Sequence, residues 1–197
     1  VVQWGGVGFD PDKQLAVVNL SHVVQHIQLY ERERYEEING EAGPGESGFH
    51  PQTGAPYGMS LQTALNRRGM PCWEPPFGEL AAIDMTTGEI AWRRPFGMSQ
   101  RYGFYMPEGW GSPTIGGPAI TRGGLIFIGA TMDAMVRAYD LETGEELWSD
   151  ITEAPSVSNP AVYEHDGAQY VAFVSGGNSI LKPSVGDMVS VYRLPQQ

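Results

Sequence analysis

The sequence predicts an all-β fold, a β-propeller of which this chain is a partial arc of about three four-stranded blades. The first observation is a phrase that occurs twice, at Ala82–Trp92 and Ala138–Trp148, with Asp, Thr-Gly and Trp at the same spacing. The second is composition, because 26 Gly and 15 Pro separate short apolar runs among 197 residues. Short strands joined by tight turns produce this pattern, and a repeat indicates that one unit is stacked several times.

Each repeat divides into an inner hairpin and an outer hairpin. The inner hairpins are two apolar strands around a turn that carries Gly, Asp or Pro, and we place them at Gly5–Asn19, Gly116–Gly129 and Ser158–Ser175. The outer hairpins follow at Leu80–Trp92 and Val136–Trp148, with a truncated one at Met188–Leu194. We expect Trp92 and Trp148 to pack between blades rather than to take part in chemistry.

Two inserts, at about residues 22–77 and 96–112, interrupt this alternation of inner and outer hairpins. In the first, the alternating charges of residues 29–37 are typical of a short exposed helix or a solvated strand, and residues 43–48 read as a flexible loop. In the second, the aromatic residues at 101–106 and Trp110 either line a substrate mouth or fasten the loop to the propeller face. The second interpretation is favoured.

Three repeats do not close a propeller ring, which takes four to eight blades. An open arc would leave apolar blade faces in water, so we expect the remaining propeller blades on the same natural chain or on a partner. The opening residues also read as the interior of a domain. The sequence therefore predicts a fragment of a larger protein.

Composition and motifs exclude several classes of function. The net charge of −11 and the scattered 12 Lys and Arg argue against nucleic acid. Segments for membrane spanning, nucleotide binding and a nucleophile elbow are missing from the sequence. His22 and His26 lack the glutamate of a zinc motif, His50 and His165 are expected to be exposed, and Cys72 is expected to be a small packed side chain. These histidines and this cysteine therefore predict no metal site and no reactive thiol.

The aspartates of the repeated phrase and one asparagine are the remaining polar candidates. Asp84 and Asp140 precede turns and are expected to accept hydrogen bonds from the turn backbone. Asn19 ends an apolar inner strand, where the other repeats have Gly129 and Ser175. A carboxamide at that place offers both a donor and an acceptor to a ligand in the central channel, or it caps a local turn. The residues alone leave these two alternatives open.

The repeated phrases resemble the tryptophan motifs of the pyrroloquinoline quinone (PQQ) dependent dehydrogenases, which are eight-bladed propellers. The ordered set of motifs is similar to the C-terminal part of the membrane-bound glucose dehydrogenase branch. This set, which covers nearly the whole chain, comprises Trp4-Gly5-Gly6, Pro56-Tyr57-Gly58, Pro71-Cys72, Gly116-Gly117-Pro118, and Gly186-Asp187 followed by Tyr192-Arg193-Leu194-Pro195.

The resemblance implies oxidation of a sugar or polyol in the periplasm, with electrons passed to ubiquinone. PQQ supplies the redox chemistry and a bound Ca²⁺ or Mg²⁺ polarises it. The resemblance places the catalytic aspartate, the cofactor lysine, the metal-ligating carboxylates and the attachment to the inner membrane before Val1. It thus implies no catalytic residue and no metal ligand in this chain, which alone would be inactive.

The same resemblance implies cofactor contacts at Asn19, Gly176 and Gly177. The chain departs from the family at residues 178–181, where Asn-Ser-Ile-Leu replaces a His-Gly-Ser-rich segment. Ile115 stands where alcohol-oxidising relatives carry Trp, which favours the sugar-oxidising branch. The alternative is a non-enzymatic propeller scaffold that resembles the outer-membrane barrel-assembly lipoprotein, which uses the tryptophan motif without a cofactor.

Overall fold

Antiparallel strands form most of the computed structural model, which describes residues 1–42, 48–101, 104–178 and 184–194. Short apolar runs bounded by Gly, Pro and Asp become strands because each run ends where the backbone must turn. In chain order the elements are β1 (Gly8–Asp10), β2 (Leu15–Ser21), β3 (Gln25–Glu31), α1 (Arg32–Ala42), β4 (Phe49–His50), β5 (Tyr57–Thr63), β6 (Gly78–Asp84), β7 (Ile90–Pro95), β8 (Gln100–Arg101), β9 (Phe104–Tyr105), a 3₁₀ turn (Glu108–Trp110), β10 (Ala119–Ile120), β11 (Leu125–Ile128), β12 (Met135–Asp140), β13 (Glu146–Ile151), β14 (Ala161–His165), β15 (Ala168–Ser175) and β16 (Met188–Arg193).

Three antiparallel sheets correspond to the three predicted repeats. Blade 1 has the strand order β1-β2-β6-β7 and blade 2 the order β10-β11-β12-β13. Blade 3 has the order β14-β15-β16 within the described residues, so the truncated outer hairpin contributes one strand. The repeated four-stranded unit predicted from the sequence is confirmed.

The repeated Asp and Thr-Gly build the turn of each outer hairpin. Asp84 Oδ1 accepts hydrogen bonds from the Thr86 backbone N–H at 2.7 Å and from its hydroxyl at 2.6 Å. Asp140 Oδ1 accepts from the Thr143 backbone N–H at 2.8 Å. These bonds lower the pKa of both carboxyls. The prediction that these aspartates organise turns is confirmed.

The two tryptophans of the repeat lie against the neighbouring blade, as predicted. Trp92 Nε1 donates to the carbonyl oxygen of Leu141 at 2.9 Å, and a Cβ on Gly144 would lie 2.6 Å from the Trp92 ring. The Trp148 ring meets the Tyr192 ring edge to face, with centroids 4.8 Å apart. Blades 1 and 2 therefore each pack the tryptophan of their last strand against the outer part of the next blade.

Buried apolar side chains fill the two spaces between consecutive blades. Because side chains alternate along a strand, Leu15, Val17 and Asn19 all face blade 2 from β2. The core between blades 1 and 2 contains Leu15, Val17, Leu80, Ala82, Phe96, Ile126, Ile128, Ala130, Tyr139 and Leu141, and that between blades 2 and 3 contains Phe127, Val136, Ala138, Val171 and Phe173.

A buried ion pair lies beside the first of these cores. Arg137 Nη2 donates to Asp133 Oδ2 at 2.5 Å, and the two side chains are 4% and 0% exposed. Asp133 also accepts hydrogen bonds from the Thr131 hydroxyl at 2.6 Å and from the Met98 backbone N–H at 2.9 Å. The carboxylate thus fixes the segment that follows β7 to blade 2.

The first insert forms a separate compact unit, Val23–Glu74. Its sheet has the order β3-β5-β4, and Tyr35 of α1 packs where Gly58 lacks a side chain, since a Cβ there would lie 2.1 Å from the Tyr35 ring. Residues 29–37 therefore supply the end of a strand and the start of a helix, and both predicted states occur. The predicted loop at residues 43–48 lies outside the described residues except for Gly48.

Cys72 corrects one prediction, because it is exposed rather than packed. Its backbone N–H donates to the Ala64 carbonyl at 2.9 Å, so Cys72 directly follows the isolated β-bridge between Leu65 and Pro71. Within the described ranges, no helix has the length and apolar character needed to cross a membrane.

The second insert is fastened through an aromatic contact. The Trp110 ring meets the Phe77 ring edge to face with centroids 5.9 Å apart, and the Phe77 backbone N–H donates to the Trp110 carbonyl at 2.6 Å. This contact agrees with the favoured interpretation of the loop. Tyr102 and Gly103 lie outside the described residues.

Candidate functional site

The candidate site begins at Asn19, inside β2. The strand continues to Ser21, so Asn19 lies two residues before its end rather than at it. Its backbone pairs with that of Leu80, and its side chain is 1% exposed. A carboxamide buried in this way needs hydrogen-bond partners, because desolvation without them costs about 1–3 kcal/mol.

The Asn19 amide nitrogen binds the loop that leads into blade 2. Nδ2 donates to Thr114 Oγ1 at 2.9 Å and to the Gly116 carbonyl oxygen at 3.0 Å. These partners are 95 and 97 positions away. The alternative in which Asn19 caps a local turn is therefore wrong, since its side chain connects two blades.

The other end of this amide has no partner among the residues that the structure describes. Asn19 Oδ1 is buried and accepts no hydrogen bond from them. Because buried acceptors are nearly always paired in folded proteins, an orphaned one indicates a missing donor. A ligand that carries an N–H or O–H group fits this requirement.

The matching positions of the other blades are small and equally buried. At Gly129, an added Cβ would lie 2.5 Å from the Ser156 carbonyl oxygen, so glycine makes room for that residue. Ser175 is fully buried. The hydroxyls of Ser156 and Ser175 also have no hydrogen-bond partner in the described part of the chain.

Glycines bring the blade-leading segments into backbone contact next to Asn19. A Cβ on Gly5 would lie 2.0 Å from the Gly116 carbonyl carbon, and one on Gly116 would lie 2.6 Å from the Val157 carbonyl oxygen. We call Asn19, Thr114, Gly116 and Ser156 the strand-end cluster. The cluster is continuous because Asn19 donates to the Gly116 carbonyl, and Gly116 contacts the backbone of Val157, the residue after Ser156.

The two glycines predicted to contact the cofactor follow β15. Gly177 has φ +72°, and its N–H already donates to the Pro155 carbonyl at 3.0 Å. Gly176 is exposed. Their role toward a cofactor stays a prediction, and of the departing segment at 178–181 only Asn178 lies within the described residues. Ile115, where alcohol-oxidising relatives carry Trp, is buried and 6% exposed.

A cluster of three polar side chains, His22, Glu79 and Arg93, lies on blade 1 and begins three residues beyond Asn19. His22 Nε2 lies 2.5 Å from Glu79 Oε2, and Arg93 Nε donates to Glu79 Oε1 at 2.7 Å while its Nη2 donates to Oε2. Glu79 is 6% exposed. Burial by itself raises the pKa of this carboxyl, but the hydrogen bonds from Arg93 and His22 outweigh it and hold the pKa below the ordinary 4.5.

This lowered pKa predicts an acid-sensitive contribution to stability. The Glu79 carboxylate stabilises the fold above pH 4.5, and that stabilisation is lost as the pH falls through the lower pKa of the folded state. Glu79→Gln is expected to lower the urea midpoint at pH 7, and the wild type is expected to lose this advantage progressively as the pH falls below 4.5. The measurement is urea unfolding at pH 3–7, with Glu164→Gln on the exposed surface as control. Parallel pH curves for E79Q and wild type would contradict the prediction.

The histidines provide no metal site in the described ranges, where no group of three potential metal-ligating side chains occurs. His22 and His26 do not share a helix, since His22 follows β2 and His26 lies in β3. His50 and His165 are exposed, as predicted.

The sequence matches a family model described as "Glucose/ethanol/alcohol dehydrogenase, beta-propeller domain" over residues 1–171, which is most of the chain. The chain belongs to this PQQ-dependent dehydrogenase family. The solved quinohemoprotein alcohol dehydrogenase from Comamonas testosteroni superposes with a TM-score of 0.55 at 27% identity, over 88% of this chain and 22% of that chain. Membership in the family and the propeller fold are thus both established.

Curated relatives cover almost the whole of this PQQ-family chain. Quinoprotein glucose dehydrogenase of Escherichia coli (strain K12) is 36% identical over 98% of this chain and 25% of its own length. The quinate/shikimate dehydrogenase (quinone) of Acinetobacter baylyi is 37% identical over 98% of this chain and 25% of its own length. The glycerol dehydrogenase large subunit of Gluconobacter thailandicus is 34% identical over 98% of this chain and 28% of its own length. The chain therefore spans about a quarter of the length of these relatives.

Sequence reasoning missed Thr114 and Ser156. The signal was present, because each residue stands four positions before a proline that leads into a blade, Pro118 or Pro160. Comparing these two segments, rather than only the tryptophan phrases, would have shown a hydroxyl at the same place in both repeats.

Proposed function

We propose that this chain is the C-terminal portion of a PQQ-dependent sugar or polyol dehydrogenase. Its strand-end cluster would contact the cofactor, with Gly176 and Gly177 nearby. When bound, PQQ supplies a quinone that accepts two electrons from the substrate, and Ca²⁺ or Mg²⁺ held by residues outside this chain polarises it. The named relatives act on glucose, glycerol and quinate, which supports a polyhydroxylated substrate.

The orphaned Asn19 Oδ1 is the observation that carries the proposal. Asn19, Thr114 and Gly116 form a rigid, buried arrangement that leaves one polar atom unsatisfied. Such an arrangement suits a ligand contact, because the side chain is held in place before the ligand binds. PQQ combines an N–H group, carboxylates and two quinone oxygens, so a partner for this atom is available on it.

Electron transfer to ubiquinone in the periplasm, next to the inner membrane, completes the proposal. A relative described as quinate/shikimate dehydrogenase (quinone) supports a quinone acceptor. Attachment to the membrane would depend on a region that precedes this segment.

The far face of blade 3 supports the presence of the remaining propeller blades. Val174, Val189 and Val191 are 51%, 60% and 51% exposed, although Val171 and Phe173 on the other side of β15 are buried. Apolar faces of this size are stable when another sheet covers them. We therefore propose that further blades of the same protein pack there.

The experiment is reconstitution of the complete protein with PQQ in the presence of Ca²⁺ or Mg²⁺. We expect saturable PQQ binding and reduction of an artificial dye with at least one of D-glucose, glycerol or quinate, and reduction of a short-chain ubiquinone in place of the dye. A protein that binds no PQQ would favour the non-enzymatic scaffold. A PQQ-loaded protein that reduces no dye with any aldose, polyol or alcohol would contradict the dehydrogenase proposal.

A further inference from the structure

We infer that Asn19 offers the cofactor a hydrogen-bond acceptor and not a donor, and that this contact therefore favours the reduced form of PQQ. The inference rests on the proposed function and deepens it, since it assigns a direction to one contact in the strand-end cluster. It follows from how the amide is held.

The orientation of the Asn19 amide is fixed by the Gly116 carbonyl. That oxygen can only accept a hydrogen bond, and it lies 3.0 Å from Nδ2. The flipped amide would place two carbonyl oxygens against each other at this distance. Thr114 Oγ1 takes the second amide hydrogen at 2.9 Å. Both hydrogens of the Asn19 nitrogen are therefore used within the protein, and only Oδ1 remains for a ligand.

The environment of Thr114 keeps the amide in this orientation. The Thr114 backbone N–H donates to Ser21 Oγ at 2.8 Å, and Ser21 Oγ donates to the Thr114 carbonyl at 3.1 Å. Thr114 and Ser21 are 1% and 2% exposed. These two hydrogen bonds hold the Thr114 segment against the end of β2. Rotation of the Asn19 amide would therefore break its hydrogen bonds to Thr114 and Gly116 in a place where water cannot replace them.

An acceptor at this place distinguishes the two redox forms of a quinone cofactor. Quinone carbonyl oxygens carry no hydrogen, and uptake of two electrons and two protons from an alcohol substrate turns them into hydroxyls. Asn19 Oδ1 can accept a hydrogen bond from such a hydroxyl but faces repulsion from the carbonyl that precedes it. The contact therefore stabilises the reduced form and raises the midpoint potential of the bound cofactor.

The test compares the affinities of the complete protein for oxidised and reduced PQQ under anaerobic conditions, in parallel with a redox titration of the bound cofactor. Asn19→Leu keeps the side-chain size and removes the acceptor. We expect it to weaken binding of reduced PQQ about tenfold more than that of oxidised PQQ. For a two-electron couple, this tenfold change lowers the midpoint potential by about 30 mV.

Asn159→Leu is the matched control, because Asn159 also donates to a backbone carbonyl of another repeat, that of Gly5 at 2.8 Å, but is exposed. We expect its affinity ratio to equal that of the wild type. Asn19→Ser is the second variant should Asn19→Leu fail to fold, since blade 3 already holds a buried serine at the matching position, Ser175. Its hydroxyl is too short to replace the amide oxygen, so we expect a shift in the same direction.

Three outcomes would overturn the inference while leaving the proposed function standing. Equal loss for both redox forms would mean a contact with a group that does not change on reduction, such as the pyrrole N–H. A greater loss for oxidised PQQ would mean that the amide donates. Unchanged affinities would mean that Asn19 does not contact PQQ. Failure of the wild-type protein to bind PQQ would instead contradict the proposed function.

Discussion

Asp133→Asn is expected to destabilise the protein by about 3–5 kcal/mol. The substitution removes the nearest carboxylate of the Arg137 guanidinium, which lies 2.5 Å away, and Arg137 is 4% exposed. The buried charge is then left with the half-exposed Glu146 carboxylate, 3.5 Å from its Nε. Burial alone would lower the pKa of Arg137, but the hydrogen bond that it donates to Asp133 and the charge of that carboxylate raise the pKa instead. The measurement is the free energy of unfolding in urea at pH 7.

Two further variants separate the charge effect from loss of packing. Asp133→Leu combined with Arg137→Met removes both charges, and we expect it to recover most of the lost stability. Glu142→Gln makes the same carboxylate-to-amide change in the exposed pair with Lys13 and is expected to leave the midpoint unchanged. An Asp133→Asn variant as stable as Glu142→Gln would show that the buried pair contributes nothing.

Gly116→Ala is the second large effect, and we expect it to destabilise the protein by about 2–5 kcal/mol and to weaken PQQ binding. Gly116 has φ +91°, a conformation that costs an alanine about 1–2 kcal/mol. The new Cβ would also lie 2.6 Å from the Val157 carbonyl oxygen, and backbone that must move to relieve such overpacking costs about 1–3 kcal/mol. Displacement of the Gly116 backbone would also move the carbonyl oxygen that orients the Asn19 amide.

Gly88→Ala is the matched control for this prediction. Gly88 has φ +77° but no atom within 4 Å of its Cβ position, so it reports only the conformational cost. The measurements are urea unfolding and PQQ titration for both variants. If Gly116→Ala is no less stable than Gly88→Ala and binds PQQ as the wild type does, the close packing at the strand-end cluster has no energetic role.

Features that depend on neighbouring residues could be predicted from the sequence. The outer hairpins are set by Asp84 and Asp140, each of which binds the turn two or three positions later, and by glycines that take positive φ at the turn. The tryptophan contacts followed from repetition, because a residue at the same place in stacked units meets the same neighbour.

Features that depend on residues far apart in the sequence could not be predicted. The Asn19–Thr114 contact joins residues 95 positions apart, and nothing local to either indicates the pairing. Asp133 and Arg137 are four positions apart, a spacing that exposed ion pairs also have. The sequence therefore does not indicate that this pair is buried, because its burial comes from packing between blades. The sequence predicts a small packed side chain at Cys72 because cysteine is commonly buried, whereas the structure leaves this side chain exposed.

The most direct test of the account is a crystal structure of the complete protein with PQQ bound. We expect the three sheets to be consecutive blades of one ring, with Asn19 Nδ2 still bound to the Gly116 carbonyl and Asn19 Oδ1 within hydrogen-bonding distance of the cofactor. A cofactor bound away from the strand-end cluster, or an Asn19 amide that turns its nitrogen toward PQQ, would contradict it.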